Sequence, residues 1–321
     1  MATGNTNFAT LAATTLQNFA NEIFDNVVTN NALLSQIRKG GNIKIVGGGR
    51  QFTMPVFFQE NNTFGAVGKF GTIPTTFQDN LTRAAYDIKI IAGSIVISQV
   101  EEAMNAGDKE KLIDYVEEKK MEAEISMGEK LGDQLFNTAV GADDIDSVPR
   151  LVANAPTADT DVGGIPSTAN AYWRNQTDTS AITAFGTAQA GTGAMDRLLT
   201  LCTFGKQGPT MIVTTKAIWS LYQTALTANV RYLKLDSGDA GFKNLLYADL
   251  PVFFDDNVPA SRMYFIDTNS IKFQVLSKGN MAMTAFEQSH QQLVTSSLLY
   301  IFCNLTAGQR RTSGVLTNIT G

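Results

Sequence analysis

The feature that most constrains this chain is one long amphipathic stretch. From Asp108 it reads DKEKLIDYVEEKKMEAEISMGEKLGDQLF. Leu112, Val116, Ala123, Met127, Leu131 and Leu135 recur at steps of three and four, placing them on one stripe of a helix. Asp108 can accept from the first turn as an N-cap. The spacing predicts a single helix over 108–137, about 45 Å long at about 1.5 Å per residue and well above the average globular length. Between Asp108 and Asp133 lie nine acids and five lysines. One face is therefore apolar, and the other is wet and negative.

The region before this helix has another character. Residues 43–97 open with IKIVGGGRQFTMPVFF and close with AAYDIKIIAGSIVIS, both strand-like in their alternation and their Ile, Val and Phe content. Between them, QENNTFGAVGKFGTIPTTFQDN offers little to bury. A structureless loop of that length is out of place inside a compact domain. Framed by two strands, it reads as a two-stranded arm projecting from the body. An isolated hairpin is marginal in water, so such an arm wants a neighbouring subunit to lie on. Ahead of it, Phe8, Leu11, Leu16, Phe19, Ile23, Val27, Leu33, Leu34 and Ile37 suggest one or two helices ending before Gly40-Gly41.

After the long helix, residues 140–193 are rich in Gly, Ala, Asp and Thr. From residue 194 the pattern alternates. AMDRLLTLCTF reads as a helix, PTMIVTT as a buried strand, and TKAIWSLYQTALTANV as a helix capped by Thr214 or Thr215. LPVFFDD, RMYFIDT and IKFQVL are short strands, and the last segment reads as a long strand, a turn and a short strand. The whole is an α+β chain.

Composition narrows the function. Charged residues are 17%, below the usual quarter, and the net charge is −5. A surface that poor in charge suits either a neutral monomer or a protein covered in part by copies of itself. No cluster of Lys and Arg exceeds the pair Arg310-Arg311, which argues against a dedicated nucleic-acid binder. Cys202 and Cys303 have apolar flanks and read as buried thiols. The N-terminus lacks a signal-peptide pattern. The longest apolar run, residues 88–97, is too short to span a bilayer. A soluble protein, intracellular where it is made, is expected.

Little in the chain suggests chemistry. The single histidine, His290, has no nearby cysteine or second histidine to form a metal site or a base–nucleophile pair, and reads as a solvated loop residue. Gly47-Gly48-Gly49 and the Gly65–Gly71 stretch lack the Lys-Ser/Thr ending of a phosphate loop. Asp143, Asp144 and Asp146 lack the rest of an EF-hand pattern and read as a solvated acidic loop. No enzymatic role, cofactor or metal is expected.

Two further segments carry a resemblance. GGIPSTANAYWRNQ at 163–176 combines two glycines with Tyr172-Trp173-Arg174-Asn175, and AGQRRTSGVLTNIT ends the chain. With the long helix, and in this order, they resemble the major capsid proteins of tailed double-stranded-DNA bacteriophages, the Hong Kong 97-type coat fold. The resemblance implies an N-terminal arm (1–42), an extended loop (43–97) and a peripheral domain with its spine helix (98–180). An axial domain (181–270) and return strands of the peripheral domain (271–321) complete it. Helical patterning from Phe8 leaves no room for a scaffolding segment ahead of the arm, so scaffolding is expected from a separate protein.

The function it implies is self-assembly through hexamers and pentamers into an icosahedral shell around packaged DNA. The chain would be made in the host bacterial cytoplasm and located in the virion, without membrane contact. Partners would be copies of itself, scaffolding, portal and decoration proteins, and DNA touched non-specifically. Gly163, Gly164, Trp173 and Arg174 would sit at a subunit junction, with Arg174 pairing a carboxylate; the other reading has Trp173 filling its own subunit's core. Phe64, Lys69 and Phe70 would meet a neighbour from the loop. Some relatives cross-link through a loop lysine, but no motif here identifies an asparagine partner for Lys69. A nanocompartment shell of the encapsulin kind shares the fold and is the alternative.

Overall fold

The computed structural model describes residues 31–100, 109–158, 161–186, 190–227, 245–288 and 292–320. The helical pattern over 8–30, the Asp108 cap and His290 lie outside them.

Helix α1 (Ala32–Lys39) leads into strands β1 (Ile43–Val46), β2 (Gln51–Phe57), β3 (Leu81–Asp87) and β4 (Lys89–Ser98). The long helix α2 (Lys109–Leu135) and the short α3 (Val148–Leu151) follow. Then come β5 (Asp161–Val162), β6 (Ile165–Pro166), a 3-10 turn at Ala171–Trp173 and β7 (Gln176–Asp178). Helices α4 (Ala190–Cys202) and α5 (Lys216–Thr227) flank β8 (Met211–Thr214). The rest is strands: β9 (Leu245–Tyr247), β10 (Leu250–Phe254), β11 (Met263–Ile266), β12 (Ile271–Leu276), β13 (Ala282–Met283), β14 (Glu287–Gln288), β15 (Val294–Ala307) and β16 (Gly314–Leu316).

The ends of these elements have local causes. Asn31 caps α1, its side chain accepting from the Leu34 amide at 3.1 Å. Arg38 and Lys39 occupy the last turn, where cations favour the helix dipole, and Gly41 takes φ +67° just beyond. Ser147 caps α3. Of the two threonines ahead of α5, Thr215 is the cap, its Oγ1 accepting from the Ile218 amide.

Two sheets organise the molecule. The first follows β1-β12-β15-β13, with β4 and β14 also on β15. Its axis is the 14-residue β15, paired with β4 through residues 294–303 and with β12 through residues 303–307. The second runs β7-β16-β11-β8-β10-β9. Alternate residues of its central strands face opposite layers. Met211, Val213, Tyr264, Ile266 and Val315 join the core shared with the first sheet and α2. Ile212, Val252, Met263, Phe265 and Leu316 face α4 and α5. Coverage on both sides explains why β8 and β11 are buried at every position.

The long helix is where the spacing places it. Met127, Leu131 and Leu135 are buried, Ala123 packs partly against them, and Met121 and Ile125 lie exposed on another face. The extended region differs in one respect from a simple two-stranded arm. Only β2 and β3 form the ladder, with Phe52 opposite Tyr86 and Phe57 opposite Leu81. The flanking strands belong to the body: β1 lies parallel to β12, and β4 antiparallel to β15. Partners more than 190 residues away in sequence account for this, and no local pattern announces them. The C-terminal segment also divides. Strands β12 to β15 build the first sheet, whereas β16 inserts between β7 and β11 of the second.

Candidate assembly interface

The segment from 161 to 176 is held inside its own subunit. Gly163 (φ +61°) accepts from the Ala85 amide at 2.9 Å through its carbonyl, docking the turn on β3. A Cβ there would stand 2.9 Å from that of Ala84 and 3.0 Å from the Tyr86 ring, so only glycine fits. Gly164 (φ +73°) needs the same backbone freedom, but open space surrounds it. Trp173 is fully buried, and its indole nitrogen donates to the Val162 carbonyl at 3.0 Å. Having no exposed surface, Trp173 cannot anchor a neighbour; it fills its own subunit's core, against the junction expected for it. Arg174 bonds backbone carbonyls within its own chain. Its guanidinium donates to the Ser167 carbonyl at 2.7 Å and to the Thr168 carbonyl at 2.6 Å.

The residue that locks this segment is Arg310. Its side chain is buried and donates to the Leu151 carbonyl and the Ser167 hydroxyl, each at 2.6 Å. It also reaches the Arg150 carbonyl and the Asn175 side-chain oxygen at 3.3 Å. Asn175 in turn brackets Ala153, donating to its carbonyl and accepting from its amide. The two motifs that looked separate in sequence thus form one junction. The arginine pair splits: Arg310 is internal, while Arg311 is exposed with its guanidinium 4.5 Å from the Phe204 ring centre.

A second buried junction lies at the root of the extended loop. Asn304 on β15 donates to the Asp87 carbonyl at 2.8 Å and to the Asp146 carboxylate at 3.0 Å, and accepts from the Asp146 amide. Arg150 pairs with the same carboxylate at 3.2 Å. Burial nevertheless pushes the Asp146 carboxyl above the usual range, against the lowering effects of Arg150 and Asn304. The stretch expected to be a solvated acidic loop is therefore partly internal. Asp144 accepts from Gln134, Asn137 and the Gly141 amide. Among the described residues no group of three His, Cys, Asp or Glu side chains could hold a metal, and no helix is long and apolar enough to cross a membrane.

The extended loop contrasts with these closed junctions. Beyond the β2–β3 ladder, residues 58–80 form no strand, and Phe64, Phe70 and Phe77 are 85%, 93% and 90% exposed. Val67 and Ile73 are open as well. Lys69 lies over the Phe70 ring at 5.6 Å. These residues are presented to whatever lies beyond the chain.

No family model and no curated protein sequence matches the chain. Solved structures do match over most of its length. The cyanophage A-1(L) capsid asymmetric unit aligns with a TM-score of 0.66 at 17% identity, covering 86% of this chain and 90% of that one. The capsid of the native GTA particle aligns at 0.59 and 14%, covering 88% and 90%. The chain has the Hong Kong 97-type capsid fold. That fold is not confined to phage shells: the SrpI encapsulin of Synechococcus elongatus aligns at 0.52 and 10% identity, covering 87% and 85%.

Proposed function

We propose that this chain is a coat subunit that self-assembles through hexamers and pentamers into the icosahedral shell of a tailed bacteriophage, enclosing its double-stranded DNA. The observation that carries this reading is the unpartnered aromatic loop on a chain with the capsid fold. Phe64, Phe70 and Phe77 together offer roughly 500 Å2 of apolar surface, taking a typical phenylalanine side chain. Burying it is worth roughly 12 kcal/mol gross at about 25 cal/mol per Å2, before the cost of ordering the loop. Exposed apolar surface on that scale marks an interaction site. The three rings lie exposed on their own subunit, so a neighbouring copy is the natural cover.

In this reading the chain is divided as the resemblance implies, except that β7 and β16 pass from the peripheral domain to the sheet of the axial domain. The low content of charged side chains and the net −5 suit a subunit largely covered by its own copies. They also suit a container that does not grip its DNA, since a basic lining would hold the genome through counterion release. The role is structural, and no catalytic step is assigned to any residue. Scaffolding, portal and decoration proteins, and synthesis in a host bacterial cytoplasm, belong to the same reading. The encapsulin alignment supports a second one, a nanocompartment shell around a protein cargo.

Negative-stain electron microscopy of the concentrated protein, alone and co-expressed with its neighbouring genes, tests both. Closed shells or rings of five and six are the expected result, and a strictly monomeric or dimeric species would overturn it. DNA inside the shells favours the phage reading and protein cargo the nanocompartment.

A further inference from the structure

Strand β4 is a long edge left open. Its 10 residues pair with β15 in an unbroken register, and β15 is its only partner strand among the described residues. From Ile90 to Ser98 it holds no proline and no charge, and no bulge interrupts the ladder. Natural edge strands carry such features to stop other chains from pairing with them. Here the free edge keeps what a further strand needs.

The space beside it has a definite lining. Residues 91–96 of β4 and one face of α2 bound a groove of about 410 Å3. Ala123, Met127 and Leu299 make it apolar, and Lys119, Glu122 and Lys130 supply its charges. Gly93 sits at mid-strand, exposed and paired with Leu299, and a Cβ there would meet nothing within 4 Å. Glycine weakens a strand interior, and it often marks a place where another backbone comes close. A strand edge facing a helix across such a gap is a setting in which domains take up extended peptides, the backbone giving affinity and alternate side chains specificity.

We infer that the groove between β4 and α2 takes up an extended, carboxylate-bearing segment of a different polypeptide as an added strand beside β4. The inference stands apart from the shell reading, because one subunit carries the whole groove. Charge selects the occupant. Lys119 is engaged by Glu122 at 2.8 Å, whereas Lys130 is exposed and pairs with no carboxylate among the described residues. The two lysines stand three turns apart on α2, about 16 Å at about 1.5 Å per residue, a span that about five extended residues cover. An incoming strand with apolar side chains over Gly93 and carboxylates on either side of them matches this lining. Segments of this chain match it less well. Loop residues 61–78 bear Lys69 as their only charge, which the lysines repel. The sequence ahead of Asn31 has helical spacing where alternation is needed, and Asn31 lies across α2 from the groove, beside Gly128 and Gly132.

Fluorescence anisotropy with a labelled synthetic peptide, Asp-Thr-Leu-Thr-Leu-Thr-Asp, and the full-length unassembled protein tests this. Its leucines and aspartates share one face of the strand, since side chains alternate. It should bind saturably and at least tenfold tighter than Lys-Thr-Leu-Thr-Leu-Thr-Lys. Gly93→Val, which fills the gap, and Lys130→Glu, which reverses the charge at an exposed position, should each weaken binding at least tenfold with the melting temperature unchanged. No saturable binding, equal binding of the two peptides, or binding untouched by either variant overturns the inference. Shell formation separates the other occupants. Gly93→Val should leave the yield of shells or rings as it is in wild type; a collapse of that yield would make the occupant another copy of this chain and overturn the inference. Absence of shells and rings from the wild-type protein overturns the shell reading alone, because the peptide assay needs only the single subunit.

Discussion

Arg310 donates to the Ser167 hydroxyl at 2.6 Å across 143 residues of sequence, inside the core. That bond closes the junction between the turn at 163–176 and the last strands. The geometry suits a planar guanidinium and not an ammonium. Arg310→Lys should destabilise the unassembled subunit by about 3 kcal/mol, on the scale of lost hydrogen bonds from a buried charged group. Ser167→Ala should cost less, about 1.5 kcal/mol. A double-mutant cycle by urea unfolding would show a coupling energy clearly different from zero, and simple additivity would contradict direct contact.

The two glycines that open this segment should separate. Both have positive φ, but a Cβ at Gly163 meets Ala84 and Tyr86, whereas one at Gly164 meets open space. Gly164→Ala should cost about 1 kcal/mol from backbone strain alone. Gly163→Ala should cost about 3 kcal/mol, because crowding against a packed core adds to the strain. Equal costs in thermal melts would show that the turn does not sit on β3 as described.

Asp146 makes stability depend on pH in a particular sense. Burial raises its folded pKa above the ordinary carboxylate value of 3.8. The folded state then holds the proton more tightly than the unfolded chain between those two values. Its destabilising effect is full above the folded pKa and is relieved as pH falls through it toward the unfolded value. Comparing wild type with Asp146→Asn by chemical denaturation from pH 7 to pH 4, the difference should move in favour of wild type as pH drops. A difference that is flat or moves the other way would contradict a raised pKa.

The two thiols should be silent until the chain opens. Burial pushes Cys202 up to about 12 and raises Cys303 as well, so neither supplies thiolate at neutral pH. A chromogenic disulfide reagent should find no thiol in the native protein and two in denaturant. Reaction of either in the native state would show that its surroundings open.

The loop aromatics should matter to assembly and not to folding. Replacing Phe64, Phe70 and Phe77 together with Ala should leave the unassembled subunit's melting temperature within about 1 °C, since exposed substitutions are usually worth less than about 0.5 kcal/mol. Shell yield, read by sedimentation, should collapse. Normal yield would mean that these rings remain uncovered in the particle.

What the sequence shows and what it conceals divide along a physical line. The long helix was legible because Met127, Leu131 and Leu135 repeat with the helical period. The β2–β3 ladder was legible because Phe52, Met54 and Val56 alternate with Gln51, Thr53 and Pro55. These are local signals. The pairing of β1 with β12 was not legible, because Ile43 and Phe273 carry no mark of each other. Trp173 shows the limit at a site: a tryptophan beside an arginine looks the same whether it anchors a neighbour or its own core. Only the position of Val162 and the turn around it decides. Arg310 was visible as half of a basic pair, but its partners at Leu151, Ser167 and Asn175 come from a different part of the chain.

Strand β4, which carries the loop back to the body, is zipped to β15 through ten residue pairs. A pull transmitted down the loop along that strand is shared by the whole ladder, in shear, so no single bond takes the load first. At the far end of β15 the Tyr86 hydroxyl donates to the Ala307 carbonyl and accepts from its amide, tying β3 to the same strand. The returning limb of the loop is thus made fast to one rigid rod at two places. In a container under pressure from within, a strap fixed that way can carry tension from one subunit to the next while the body behind it keeps its shape.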